Sequence, residues 1–226
     1  MSDFVFREEG SQLKFVGDFD GLYRDEVDPW GQSARSGPMA EYYDYSRGAL
    51  INAVKKFAPP SSSLLEVGCG LGYVLSQFKA LGGVNPTGMD VSGVAVERAR
   101  KLFSELNFIQ ADITSSDLDL PERYDCLVLN QVLWYILHRM DVAVLNCRQL
   151  LWPDGILIIS QAFLRGEQRY GKEVVDGLHG LLERFSNRYQ HVFSLLQSSY
   201  DGASERVHHD GLLVFRADGF AHDPSH

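Results

Sequence analysis

An apolar run that ends at an acidic residue and three alternating glycines constrains the fold of this chain more than any other feature. The run is LLEVGCGLG at residues 64–72, and Asp90 follows at the end of the next apolar segment. Alternating glycines at Gly68, Gly70 and Gly72 allow a tight strand-to-helix turn that approaches a ligand closely. A carboxylate at the end of the second strand can accept both hydroxyls of a ribose. The pattern predicts a nucleoside-binding βαβ unit.

The spacing of the glycines differs from the dinucleotide-binding pattern. That pattern is G-x-G-x-x-G, in which the third glycine lets the helix pack closely on the strand. Here the spacing is G-x-G-x-G, Tyr73 follows the last glycine, and Glu66 lies two residues before the first one. A nicotinamide-dependent oxidoreductase is therefore disfavoured.

Four elements in this order resemble class I S-adenosylmethionine-dependent methyltransferases. They are the glycine motif with Glu66, then Asp90, then Asp112 in the segment FIQADI, then the segment YDCLVLN at 124–130, together covering about residues 60 to 160. The resemblance implies that Glu66 serves the methionine end of the cofactor and that Asp112 holds the adenine amino group. Asp112 has an alternative role as the cap of the turn that follows it.

The resemblance also implies the remaining cofactor-binding residues. Val91 and Ile113 would enclose the adenine, and Asn130 would lie below the ribose and methionine. Tyr43 and Arg47 lie one turn apart on a predicted helix, and Arg47 either pairs with the cofactor carboxylate or is solvated or paired with an acid. The predicted cofactor-binding residues are Glu66, Gly68, Gly70, Gly72, Asp90, Val91, Asp112, Ile113, Asn130, Tyr43 and Arg47.

A second group of segments resembles the rhizobial nodulation-factor N-methyltransferases, which methylate the amine of a chitooligosaccharide. The segments are FDGLY at 19–23, DPWG at 28–31, EYY at 41–43 and QVLWYIL at 131–137. That family tends to have an acidic residue where this chain has Gln131, so an amine and a hydroxyl both stay open as the methylated group.

Methyl transfer needs alignment of the nucleophile with the methyl group more than a fixed catalytic signature. Candidate catalytic residues are therefore few. His138 is the candidate general base for a hydroxyl, or else a surface histidine beside Arg139. Tyr135 either orients the acceptor or belongs to the core. Trp30, with Tyr43, either covers a sulfonium site or only attaches the N-terminal arm to the core.

Composition limits the class of protein. The chain has 226 residues, 45% of them hydrophobic, and a net charge of −9, which predicts one globular domain and makes nucleic acid an improbable partner. Three cysteines and no visible secretory signal predict a reduced, cytoplasmic setting. No membrane span, metal site or oligomeric state is predicted, and His208-His209-Asp210 lacks a third ligand at a telling spacing.

Alternating strands and helices predict an α/β fold, a doubly wound, seven-stranded, mostly parallel sheet with an N-terminal helical and aromatic lid. No periodicity is evident before Pro38, which begins a helix. The predicted units are an arm and lid helix at 1–58, a core at 59–216 and a flexible tail at 217–226. Predicted strands lie near 64–68, 85–90, 107–111, 124–130, 155–162, 191–196 and 211–215, and predicted helices near 72–81, 92–105, 139–151 and 171–185.

Together these features predict a methyltransferase that uses S-adenosylmethionine and releases S-adenosylhomocysteine. The predicted acceptor is an amine or hydroxyl of a small polar metabolite or a saccharide. Two alternatives stay open: a protein or tRNA methyltransferase, and a regulator that keeps the cofactor site without catalysis.

Overall fold

The computed structural model describes residues 3–164, 168–200 and 208–218, with only the backbone of His208. The elements are β1 (Phe6–Glu9), β2 (Gln12–Phe15), α1 (Phe19–Asp25), α2 (Pro38–Phe57), β3 (Ser62–Val67), α3 (Tyr73–Ala80), β4 (Val84–Asp90), α4 (Gly93–Leu102), β5 (Asn107–Gln110), β6 (Tyr124–Asn130), α5 (Leu133–Ile136), a 3₁₀ turn (Leu137–Arg139), α6 (Met140–Leu150), β7 (Leu151–Leu164), α7 (Gly177–Arg188), β8 (Phe193–Tyr200) and β9 (His208–Ala217).

Seven strands form one sheet in the order β5-β4-β3-β6-β7-β9-β8. All neighbours from β5 to β7 are parallel, and β9 is antiparallel to both β7 and β8. Helices cover both faces, so the central strands are almost wholly apolar and buried, as Leu64, Leu65 and Leu127 illustrate. The predicted doubly wound, seven-stranded fold is confirmed.

Strand order reverses between β3 and β6, which is where ligands bind in such sheets. The register sets Glu66 of β3 opposite Gly88 of β4 and Val128 of β6. Asn130 of β6 lies opposite Ser160 of β7. The carboxyl ends of four neighbouring strands therefore meet at one edge, next to the glycine turn.

The N-terminal region contains structure that the sequence did not predict. β1 and β2 form a hairpin in which Phe6 pairs with Phe15, and α1 follows directly. Each strand has four residues, too few to give a clear periodicity. Contacts to distant aromatic residues stabilise the hairpin instead, since the Phe6 ring lies 5.0 Å from Tyr170 and 6.0 Å from Tyr135.

The C-terminal boundaries also differ from the prediction. The helix expected at 171–185 begins at Gly177, because Gly171 has a φ of +66° and its carbonyl accepts the N–H groups of Val174 and Val175 in a turn. The last two strands extend over Phe193–Tyr200 and His208–Ala217. Ala217 is therefore part of the sheet rather than of a tail, and residues 219–226 lie outside the described residues.

β7 begins earlier than predicted and contains an irregularity. Tyr124 pairs with Leu151 and Cys126 with Ile156, so the segment 152–155 bulges out of the ladder. Asp154 has a φ of +64° in this bulge. Residues 152–155 thus interrupt β7, whereas the predicted strand began only near residue 155.

Candidate active site

The glycine turn between β3 and α3 depends on the absence of side chains. Gly68, Gly70 and Gly72 have φ values of +71°, +54° and +83°, a region that favours glycine. A Cβ on Gly68 would lie 2.1 Å from Val132 Cγ1, and one on Gly72 would lie 2.8 Å from the Phe108 ring. The turn thus brings backbone close to the end of β6.

Asp90, the last residue of β4, connects two loops of the site. Its Oδ2 accepts the Gly70 N–H at 2.8 Å and its Oδ1 accepts the Ser92 N–H at 2.9 Å. Burial raises the pKa of Asp90, while these N–H groups lower it. The carboxylate is 7% exposed and lines a cavity at the sheet edge, so its remaining lone pairs can accept ligand hydroxyls.

Glu66 and Arg47 place an acid and a base inside the site. Burial raises the pKa of Glu66 to about 8, opposed by a hydrogen bond from the Asn130 amide and by the charge of Arg47. Glu66 Oε2 is buried with no hydrogen-bond partner among the described residues. The same is true of Arg47 Nε within the described part of the chain. A zwitterionic amino-acid group would complement both atoms.

Arg47 is buried, and it forms no salt bridge with an acid among the described residues. It is 9% exposed, its Nη2 donates to the Gln32 carbonyl at 3.0 Å, and its guanidinium stacks 4.1 Å from the centre of the Tyr43 ring. Burial lowers the pKa of Arg47. The side chain is thus held at the cavity wall between α2 and the N-terminal segment.

Asp112 caps the turn that follows it and also faces the cavity. Its Oδ1 accepts the backbone N–H and the hydroxyl of Thr114, both at 2.7 Å, so it caps the following turn. It also lines the cavity, together with Val91 and Ile113. Val91 is 43% exposed and Ile113 is 4% exposed, which gives an apolar slot with one open side.

A short N-terminal segment, residues 28–33, covers the glycine turn. The Tyr43 hydroxyl donates to the Trp30 carbonyl at 2.6 Å, and Gln32 Oε1 accepts the Leu71 N–H at 3.3 Å. The Trp30 indole N–H donates to the buried Tyr23 hydroxyl. Tyr43, a predicted site residue on α2, is thereby connected through residues 28–33 to the glycine turn.

An aromatic wall made of Phe6, Phe15, Phe19, Tyr135 and Tyr170 encloses the other half of the cavity. Tyr135 lies 5.7 Å from Trp30 and 5.3 Å from Phe19, ring centre to ring centre. Burial raises the pKa of Tyr135, which keeps its hydroxyl neutral. His138 is exposed and stacks on Phe15 at 5.0 Å.

These walls enclose a cavity of about 720 Å³. Most of the predicted site residues line it, namely Trp30, Tyr43, Arg47, Gly68, Asp90, Val91, Asp112, Ile113, Asn130, Tyr135 and His138. Glu66, Gly70 and Gly72 are not among the residues that line it, and Glu66 adjoins it through its hydrogen bond with Asn130, which does line it.

Four glutamines of the cavity were not predicted as site residues: Gln32, Gln131, Gln161 and Gln168. Gln131 and Gln161 stand at the carboxyl ends of the adjacent strands β6 and β7. That position is itself a signal in a parallel sheet, and it could have identified both. Nothing in the local sequence points to Gln32.

Other kinds of site have little support in the described residues. Over residues 3–164, 168–200 and 208–218, no group of three or more His, Cys, Asp or Glu residues is arranged to hold a metal ion. No helix in that part of the chain is both long and apolar enough to cross a membrane. Cys69, Cys126 and Cys147 are buried free thiols.

Comparison with known proteins identifies the fold. A methyltransferase-domain family model matches residues 65–159. The ribosomal protein L11 methyltransferase of Dictyoglomus turgidum is 31% identical over 112 residues, covering 49% of this chain and 36% of the relative. The ubiquinone biosynthesis O-methyltransferase of Actinobacillus pleuropneumoniae is 29% identical over 106 residues, 43% of this chain and 44% of the relative. The chain thus spans only about a third to a half of these curated relatives.

Among solved structures, the N-methyltransferase NodS from Bradyrhizobium japonicum in complex with S-adenosyl-L-homocysteine aligns with a TM-score of 0.67 at 19% identity. The alignment covers 89% of this chain and 98% of NodS. The family match and the structural alignment agree that the chain has the fold of the class I S-adenosylmethionine-dependent methyltransferases.

Proposed function

We propose that this protein is a methyltransferase that binds S-adenosylmethionine in the cavity and methylates a small molecule. The observation that carries the proposal is the pair of buried, unpartnered polar atoms, Glu66 Oε2 and Arg47 Nε, beside a glycine turn held by Asp90. An ammonium and a carboxylate on one ligand match them, and the cofactor has both on its methionine end. The cofactor's product is bound in the NodS structure.

The remaining cofactor contacts are proposed from the resemblance and from the residues that line the cavity. Asp90 accepts the ribose hydroxyls, and the adenine lies between Val91 and Ile113 with its amino group at Asp112. Asn130 orients Glu66 from the end of β6. When bound, the cofactor supplies a methyl group on a positively charged sulfur. The protein's share is to align the acceptor with that methyl group and to exclude water.

We propose a small-molecule acceptor, a saccharide or another small polar metabolite, with a hydroxyl or an amine as the methylated group. The cavity of about 720 Å³ lies in the range of about 300–1,000 Å³ that is usual for small-molecule sites. The aromatic wall offers flat faces on which a ring can stack. We propose that residues 1–58 form a lid over the site and that Trp30 is the lid residue that covers this space.

Two further roles belong to this proposal. His138 accepts the proton of a hydroxyl acceptor, because its imidazole lines the cavity and stacks on Phe15 of the aromatic wall. Tyr135 orients a polar group of the acceptor with its neutral hydroxyl. A neutral amine would need no base for the attack itself.

Release of S-adenosylhomocysteine tests the proposal, measured with amino sugars, their hydroxyl counterparts, simple amines and polyols. We expect turnover with at least one member of this panel. Silence across the panel together with methylation of a protein fraction from the source cell would overturn the small-molecule acceptor. It would leave the cofactor site standing.

A further inference from the structure

Gln131 has an unusual backbone at the end of β6. Its φ is +60°, a left-handed conformation that costs free energy for a residue other than glycine and concentrates at functional sites. Its N–H donates to the Ser160 carbonyl at 2.8 Å, which ties the strained residue to β7. The side chain that this geometry positions lines the cavity.

Two backbone N–H groups determine which way the Gln131 amide points. The Leu133 N–H donates to Gln161 Oε1 at 2.9 Å, so Gln161 Nε2 points away from Leu133. Gln161 Nε2 in turn donates to Gln131 Oε1 at 3.3 Å. The Ala162 N–H donates to the same Gln131 oxygen at 2.9 Å. Exchanging oxygen and nitrogen in Gln131 would set N–H groups against N–H groups.

The nitrogen of this amide is left without a partner. Gln131 Nε2 is buried and has no hydrogen-bond partner among the described residues. A buried N–H donor without an acceptor costs about 1–3 kcal/mol of free energy. A ligand atom that presents a lone pair to the Gln131 amide recovers this free energy. The site therefore favours a ligand atom that accepts a hydrogen bond, and oxygen fills that role more readily than nitrogen.

A neutral amine has a single lone pair, the pair that must attack the methyl group. Donation from Gln131 to that pair would block the reaction. A hydroxyl oxygen has two lone pairs, so one can accept the amide N–H while the other stays free to attack.

We propose, resting on the proposed function, that Gln131 is a specificity-determining residue whose Nε2 donates to the oxygen that is methylated. The acceptor group is then a hydroxyl, phenolic or carboxylic oxygen rather than an amine. Phe6, Phe15 and Tyr170 pack against one another and line the same cavity, where they can accommodate the apolar part of such a compound.

Gln131→Glu is the direct test, because it keeps an oxygen for the Ala162 N–H and replaces the Nε2 donor with a second carboxylate oxygen. The control is Gln197→Glu, a glutamine on the distant strand β8 that pairs with Lys56. Probes are the matched pairs phenol and aniline, and benzyl alcohol and benzylamine. Each is titrated into protein loaded with S-adenosylhomocysteine, with the Gln131 side-chain amide followed by ¹⁵N NMR.

We expect the hydroxyl member of a pair to move the Gln131 amide signals and to bind more tightly than its amine twin. In Gln131→Glu that preference should fall about tenfold, the equivalent of one hydrogen bond of about 1.4 kcal/mol. Gln197→Glu should keep the wild-type preference. Melting temperatures of both variants establish that they fold.

The inference is overturned if the amines bind as tightly as the hydroxyl probes or more tightly. It is also overturned if Gln131→Glu keeps the wild-type preference for the hydroxyl probe, or if no hydroxyl probe binds. Calorimetric binding of S-adenosylhomocysteine, measured first, separates the two proposals. Tight cofactor binding with an unresponsive Gln131 removes only the inference, whereas absent cofactor binding removes the proposed function.

Discussion

Asp90 Oδ2 accepts the backbone N–H of Gly70 at 2.8 Å, which joins the two halves of the sequence motif. The carboxylate therefore shapes the glycine turn as well as facing the cavity. Its other oxygen holds the Ser92 N–H, at the start of α4. Loss of this one side chain should disturb both the cofactor site and the loops that form it.

Asp90→Ala should weaken binding of S-adenosylhomocysteine by about 1–3 kcal/mol, because a buried ribose contact is lost and two N–H groups lose their acceptor. Isothermal titration calorimetry measures the change. Asp90→Asn, which keeps one acceptor oxygen, should lie between wild type and Asp90→Ala. Wild-type affinity in Asp90→Ala would remove Asp90 from the site.

Gly68→Ala should abolish cofactor binding and lower the melting temperature, since its Cβ would lie 2.1 Å from Val132 Cγ1 and its φ is +71°. The matched control is Gly48→Ala within α2, where a Cβ would have no neighbour within 4 Å. That change should stabilise the protein by about 0.5–1 kcal/mol. Thermal melts of both variants check this, and a tolerated Gly68→Ala would be inconsistent with the glycine turn described.

Trp30→Ala should lower turnover without unfolding the protein. The backbone carbonyl that accepts the Tyr43 hydroxyl is retained, whereas the indole beside Tyr135 is lost. Trp152→Ala, at a tryptophan that is 49% exposed in the β7 bulge, is the control and should leave turnover unchanged. A large fall in the melting temperature of Trp30→Ala would mean that Trp30 only attaches the arm.

Glu66 should make the stability of the cofactor-free protein depend on pH. Burial raises its pKa in the folded state from 4.5 to about 8, so the folded protein binds more protons than the unfolded chain between those values. The contribution of this group to stability is then fully present below about pH 4.5 and is lost as pH rises through 8. Glu66→Gln should raise the melting temperature more at pH 8 than at pH 5. An equal change at both pH values would contradict the raised pKa.

Much of the sheet could be predicted because it depends on local sequence. The apolar runs that became β3 and β6 are buried on both faces, and the strand-end position of Asn130 follows from the second of them. Pro38 occupies the first turn of α2, as its fixed φ suits. The parallel order then follows from right-handed crossovers.

The rest depends on contacts between distant parts of the chain. The hairpin of β1 and β2 packs against Tyr135 and Tyr170, and no local pattern encodes those contacts. The burial of Arg47 results from the Gln32 carbonyl and the Tyr43 ring. The orientation of Gln131 is set by the Ala162 N–H on the neighbouring strand.

The central claim is tested most directly by measuring the binding of S-adenosylhomocysteine to the purified wild-type protein. Oxidised nicotinamide dinucleotide is measured in parallel as the alternative cofactor. Calorimetry should show one tight site for S-adenosylhomocysteine and no measurable heat for the dinucleotide. Dinucleotide binding without S-adenosylhomocysteine binding would contradict the assignment of Glu66, Asp90 and Arg47 to a methyl-donor site.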